Sequence, residues 1–255
     1  MIRLIFAQTV TGGGGTLALI NARALLEHGL TNLTLMDLQY SEEADANIER
    51  LQVDFPKSHI RRVQVDVTDA EVLNEAMTIA SQVMGYVDIL CCFAGVVGCT
   101  HAIDMKPKEW RRTLDINSTG AFLSAQAAAR QMIKQGTSGS IIFIASISAQ
   151  KVNFPQPQAA YNASKAAIVS LKSSLAAEWA VYGIRVNSIS PGYMDTVLNE
   201  GPGLEDARRV WTERNPTGRM GVPEELTGPL VLLCSQAGSY MTGMDLRVDG
   251  GQCCV

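Results

Sequence analysis

Short apolar runs alternate with helically patterned stretches along this chain, and that alternation restricts the fold more than any single motif. Strands are expected at 4–11, 33–38, 62–66, 88–93, 141–146 and 184–189, with a short final one at 246–249. Between them, helices are expected at 17–28 (ended by Gly29), 41–52, 70–84, 107–134 with a break near Asn117, 160–182 and 223–235. Runs such as Ile141-Ile142-Phe143-Ile144-Ala145 lack polar alternation, as a strand covered on both faces does. Parallel strands joined by right-handed crossovers put helices on both sides of the sheet.

The expected fold class is therefore α/β, a doubly wound Rossmann-type domain with a mostly parallel sheet and helices on both faces. With 255 residues, 47% of them hydrophobic, and no Pro/Ser-rich linker or internal repeat, one domain over 1–255 is favoured, with an irregular or helical insertion at about 194–215. A net charge of −4 gives no support to nucleic-acid or anionic-membrane binding. Six cysteines, two pairs of them adjacent, form no C-x-x-C, so no metal site is indicated. Met1–Ala7 lead into glycine-rich sequence without a secretory apolar region, and no apolar stretch reaches the ~18–20 residues of a membrane span. A reducing cytoplasm and small soluble partners are expected.

The chemistry concentrates in Tyr161-Asn162-Ala163-Ser164-Lys165, with Ser146 and Ser148 before it. Four residues apart on a helix, Tyr161 and Lys165 share a face. A phenol of ordinary pKa, about 10, exchanges protons poorly near neutrality, and a neighbouring cation moves it towards the working range. Ser146, ending an apolar strand, would hold a substrate oxygen beside it. At the first strand-to-helix turn, Thr11-Gly12-Gly13-Gly14-Gly15-Thr16-Leu17-Ala18 offers backbone N–H groups and a helix N-terminus to an anion such as a pyrophosphate. Asp37, ending the second strand, suits the two ribose hydroxyls of NAD and repels the 2′-phosphate of NADP, so NAD is preferred over NADP.

These residues together resemble the short-chain dehydrogenase/reductase family, and the resemblance covers almost the whole sequence. It implies hydride transfer between a nicotinamide cofactor and a secondary alcohol or ketone, with Asn117, Ser146, Tyr161 and Lys165 as catalytic residues. It assigns Gly12, Gly14, Thr16 and Leu17 to the phosphate turn, Asp66 and Val67 to adenine, and Ala94 and Gly95 to the cofactor ribose. Lys165 would bind the nicotinamide ribose beside Tyr161, and Pro191, Gly192 and Thr196 of Pro191-Gly192-Tyr193-Met194-Asp195-Thr196 would hold the carboxamide. Asn117 would kink its helix and hold a water linking Lys165 to solvent.

Departures from the family pattern are as informative. In T-G-x-x-x-G-x-G, Thr16 and Ala18 replace the second and third glycines, and Cys91-Cys92-Phe93-Ala94-Gly95 stands where N-N-A-G is usual. Thr16 either fills the phosphate site or turns its side chain away; the second outcome is expected. Ser148 is the fallback for Ser146, because the Ser146-to-Tyr161 interval is two residues longer than usual. The nearest flavour is that of fungal polyol dehydrogenases and ketose reductases, often tetrameric, so a homo-oligomer, dimer or tetramer, acting on a polyol or ketose is the first expectation. A ketone of secondary metabolism is the second, since Val96, Val97, Cys99, Phe154, Tyr193, Met194 and Val197 would make an apolar pocket; Ser148, Val97, Tyr193 and Met194 are the candidate substrate contacts. A non-redox binding or assembly protein with a damaged cofactor loop is the alternative of another class.

Overall fold

The computed structural model describes residues 7–196, 199, 201 and 203–255. Among these, seven strands occur: β1 (Ala7–Thr11), β2 (Asn32–Asp37), β3 (His59–Gln64), β4 (Ile89–Cys92), β5 (Gly139–Ile144), β6 (Ile184–Pro191) and β7 (Asp245–Val248). They form one sheet in the order β3-β2-β1-β4-β5-β6-β7, with every pairing parallel. The direction of winding reverses between β1 and β4. That switch point opens a crevice outside the carboxyl ends of the strands, where ligands bind in such sheets.

Eight α-helices accompany the strands among the described residues: α1 (Thr16–Glu27), α2 (Glu42–Asp54), α3 (Ala70–Met84), α4 (Pro107–Leu114), α5 (Gly120–Gln135), α6 (Ala159–Trp179), α7 (Glu205–Glu213) and α8 (Thr227–Cys234). Two buried apolar clusters separate them. One joins Met77, Ala125, Ala128, Met132 and Leu175 of α3, α5 and α6 to the sheet. The other joins Leu25, Ile48 and Leu230 of α1, α2 and α8 to its opposite face. Ala121, Ala125, Ala128 and Ala129 let α5 lie close to α3 and β4, because small side groups bring backbones together.

Local signals set the element ends. Ser41 caps α2 by accepting from Ala44 N, and Asp69 caps α3 by accepting from Glu71 N and Val72 N. Gly85 and Gly136 end α3 and α5 in the left-handed conformation. The expected break near Asn117 is a turn of π-helix, Asp115–Thr119, between α4 and α5. β3 lies earlier than the expected 62–66. It is an edge strand with His59, Arg61, Arg62 and Gln64 exposed, so little apolar pattern marks its start. The expected residues 4–6 of the first strand, and Val197, lie outside the described residues. Among those described, no helix is long and apolar enough to cross a membrane.

Candidate active site

The glycine turn after β1 is built by close approach. Gly12 has φ of +67°, and a Cβ there would meet Ala94 N at 2.5 Å, so the first turn is pressed against the turn after β4. Gly13 N donates to Met36 O, and Gly14 N donates to the Asp37 carboxylate at 2.9 Å. Gly15 is the extended cap of α1; it offers no capping group, and the first turn holds no acidic residue. The first intrahelical bond of that turn is Leu19 N to Gly15 O, so the N–H groups of residues 16–18 face outward unpaired, as helix geometry requires.

Thr16 is the first residue of α1 and is exposed. Asp37 keeps one carboxylate oxygen beyond the Gly14 contact. Of Arg61 and Arg62, the candidate cations for a 2′-phosphate, Arg62 pairs with Asp45 and Arg61 is exposed on β3. Asp66 spends one oxygen on Thr68, accepting from its N–H at 2.9 Å and its hydroxyl at 2.7 Å, which lowers its pKa. Val67 is buried against Gly120, where a Cβ would stand 2.7 Å from its methyl group. Gly192, held by its N–H to Val248 O at 2.9 Å, passes so close to Asp249 that a Cβ would lie 2.9 Å from its Cα. Thr196 is buried. Unpaired helix N–H groups, a turn that only glycine can line and a carboxylate at its far end fit a dinucleotide.

The proton-handling residues meet at the carboxyl edge of β5. Ser146 follows that strand and Tyr161 and Lys165 project from the first turns of α6, with Lys165 Nζ 5.6 Å from the Tyr161 ring centre. Lys165 is buried and donates to Ile144 O at 2.7 Å. Burial pushes its pKa down to about 8. Burial also holds the neighbouring Cys92 well above its usual range, so it stays a thiol and gives Lys165 no counter-charge.

Tyr161 keeps part of its surface accessible while its oxygen is closely surrounded, and burial raises its pKa. The Ser146 hydroxyl opposes that rise, and the nearby Tyr193 phenol adds to it. The downward pull expected from Lys165 does not set the Tyr161 value in the protein alone. Ser146, rather than Ser148, is the serine beside the phenol; Ser148 lies one hydrogen bond further, accepting from Ser146 Oγ at 2.9 Å.

Asn117 is buried and its amide is committed. Its Oδ1 accepts from Val96 N at 2.7 Å, and its Nδ2 donates to Val96 O at 2.9 Å and to Ser164 Oγ at 3.0 Å. The amide therefore pins the loop carrying Ala94 and Gly95 to α6, and one oxygen lone pair remains for the expected water.

The residues expected to line an apolar pocket differ in burial. Met194 is buried with residues of α1 and α8 and lies against Gly221. Val97 and Phe154 are exposed, Phe154 with the Arg214 guanidinium 4.1 Å over its ring. Polar groups that no sequence pattern signals stand near Ser146 and Tyr161. Ser148 Oγ donates to Asn153 Oδ1 at 2.8 Å, Asn153 Nδ2 donates to Gln158 Oε1, and Gln158 Nε2 donates to Cys99 Sγ at 3.4 Å. Tyr193 stacks on Trp211 of α7 with ring centres 4.3 Å apart, and Gln156 binds both, through Nε2 to the phenol and Oε1 to the indole N–H. A separate open depression of about 540 Å³ lies along α7, where Arg208, Arg209 and Arg219 line it; each is paired with a carboxylate.

A doubly wound sheet with a glycine-lined first turn and a Ser-Tyr-Lys group at the crevice defines a nicotinamide-dependent oxidoreductase. The family profile described as Enoyl-(Acyl carrier protein) reductase matches residues 16–252. The D-arabinitol 2-dehydrogenase [ribulose-forming] of Candida albicans is 35% identical over 258 residues, covering 96% of this chain and 92% of that protein. Sorbose reductase of Schizosaccharomyces pombe is 42% identical over 184 residues, covering 72% and 70%. The structure of an NADPH-dependent 3-quinuclidinone reductase from Rhodotorula rubra superposes with a TM-score of 0.89 at 33% identity, covering 100% of this chain and 93% of that one. The chain belongs to the short-chain dehydrogenase/reductase family. It is an NAD(P)-dependent oxidoreductase acting on the CH–OH group of secondary alcohols.

Proposed function

We propose that the protein interconverts a polyol and the corresponding ketose, with NAD(H) preferred over NADP(H). The observation that carries the reading is the meeting of the Tyr161 phenol, the Ser146 hydroxyl and the buried Lys165 ammonium beside the glycine-lined crevice. Residues 12–17, Asp37 and Lys165 would hold the dinucleotide, with Ala94, Gly95, Pro191, Gly192 and Thr196 along the same crevice. Bound there, the nicotinamide supplies or accepts the hydride.

Tyr161 gives a proton to the substrate oxygen in reduction and takes it back in oxidation. Ser146 hydrogen-bonds that oxygen and fixes it against the phenol. With cofactor bound, Lys165 would hold the nicotinamide ribose, favour the phenolate by charge and connect it to further proton exchange. Asn117 keeps the Gly95–Val96 loop against α6, and its remaining oxygen lone pair would hold the water that links Lys165 to solvent. The polyol assignment draws on the D-arabinitol and sorbose enzymes among the relatives. The NAD preference draws on Asp37 and on the diversion of Arg62 to Asp45, although the Rhodotorula rubra relative is NADPH-dependent.

The test is oxidation of D-arabinitol and D-mannitol with NAD⁺ and NADP⁺ by wild type and Tyr161→Phe, with NADH and NADPH affinities measured separately. Tyr161→Phe is expected to lose about 10²–10⁴-fold in turnover while cofactor affinity stays within a few-fold. Turnover by the mutant near the wild-type rate removes Tyr161 from the chemistry.

A further inference from the structure

Beyond Ser148, the hydrogen bonds that lead away from Ser146 run through amides. Asn153, Gln156 and Gln158 fall within six residues between Ser146 and Tyr161, in a segment with Pro155 and Pro157 that makes no helix or strand. Gln158 is buried, and Asn153 and Gln156 are half-buried. Ser148, Asn153, Gln158 and Cys99 form one string of hydrogen bonds that begins at Ser146, and Gln156 joins the Tyr193 phenol to the Trp211 indole. Tyr193 is close enough to Tyr161 to raise its pKa, so both arms converge on the same phenol.

Each amide in the string has capacity left over. Asn153 uses one N–H and one oxygen lone pair in it, and so does Gln158; an amide carries two of each. A simple ketone seated against Tyr161 would strip water from those groups and return nothing. A substrate with hydroxyls on the carbons flanking the reacting one returns both a donor and an acceptor at each. Such a site rejects an analogue lacking the hydroxyl far more strongly than an apolar pocket rejects an added one.

We infer that Asn153, Gln156 and Gln158 are the specificity-determining residues of this protein, reading the hydroxyls next to the reacting carbon and so selecting polyhydroxylated over monohydric substrates. The inference rests on the proposed polyol–ketose activity. It extends that proposal to residues that carry no part of the proton transfer.

The test compares kcat/KM for D-arabinitol and D-mannitol with that for 2-butanol in wild type, Gln158→Met and Asn153→Leu, with thermal unfolding and NADH affinity recorded for each. Gln158→Met keeps the length of the side group and removes its amide; Asn153→Leu interrupts the string one step nearer Ser146. The expected result is a loss of about 10-fold or more on the polyols, carried mainly by KM, with 2-butanol within about 3-fold of wild type or improved, and with unfolding and NADH affinity unchanged. Equal losses on both substrate classes, or polyol kinetics untouched by both variants, overturn the inference. So does a wild type that oxidises 2-butanol and not the polyols, which leaves the redox reading standing. A wild type that binds NADH and oxidises neither class overturns the polyol–ketose reading, and this inference falls with it.

Discussion

Asn117→Ala is the change whose cost follows most directly from the geometry. Asn117 is 2% exposed and makes three hydrogen bonds of 2.7, 2.9 and 3.0 Å, two to the Val96 peptide and one to Ser164. Truncation orphans a backbone N–H, a backbone carbonyl and a hydroxyl. Each orphan costs about 1–3 kcal/mol when water cannot replace the partner. Ser164 Oγ keeps its own bond to Tyr161 O, and Val96 is only part-buried, so solvent recovers some of the loss. The expected destabilisation is therefore about 2–4 kcal/mol. Urea unfolding gives that number. Amide exchange at Val96 locates it, because its N–H should lose protection while amides in β4 keep theirs. Loosening the loop also spreads the ribose side of the crevice, so NADH affinity should fall about tenfold, or about 1.4 kcal/mol. A loss below about 0.5 kcal/mol with Val96 still protected would show that the amide does not hold this loop.

Burial of Lys165 makes stability depend on pH in an unusual sense. Its pKa is about 8 in the folded protein against an ordinary 10.5, so between those values the unfolded state binds more protons, and the stability of the protein without cofactor should rise with pH across pH 8–10.5. Lys165→Met should remove that rise, as denaturation midpoints across the window would show. Thr9 is fully buried in β1 with no partner for its hydroxyl, beside Thr34, which donates to Met84 Sδ at 3.2 Å. Thr9→Val should therefore stabilise by about 1 kcal/mol while Thr34→Val changes little, and thermal unfolding that ranks them in the opposite order contradicts this account. Asp37→Ala should narrow the gap between NADH and NADPH by raising NADPH affinity, and calorimetry showing an unchanged ratio would locate the discrimination elsewhere.

The fold was legible because it depends on repetition. Seven apolar runs and their intervening helical stretches survive errors of two or three residues at each end, as at β3, where the exposed arginines hid the first half of the strand. Tyr161, Lys165 and Ser146 were legible because helix spacing and a strand end fix their positions. Met194 is buried beside its parallel bridge to Gly221, which joins residues 27 apart and which no local pattern signals. Asn153, Gln156 and Gln158 lie in a segment without periodicity, so only the folded molecule shows that their hydrogen bonds converge near Ser146 and Tyr161. The direction of the Tyr161 pKa was also beyond sequence, since it depends on how tightly the phenol oxygen is enclosed.

The contact between Gly12 and the Ala94 peptide has a consequence for anyone rebuilding this crevice. Two turns separated by about a third of the sequence behave as a single machined part: nothing larger than hydrogen enters at position 12 without displacing the backbone after β4, and that backbone is clamped in turn by Asn117. A glycine turn grafted from a relative would therefore have to bring the Cys91–Gly95 turn and its asparagine clamp along with it. Exchange of either piece alone would leave two halves cut to different gauges.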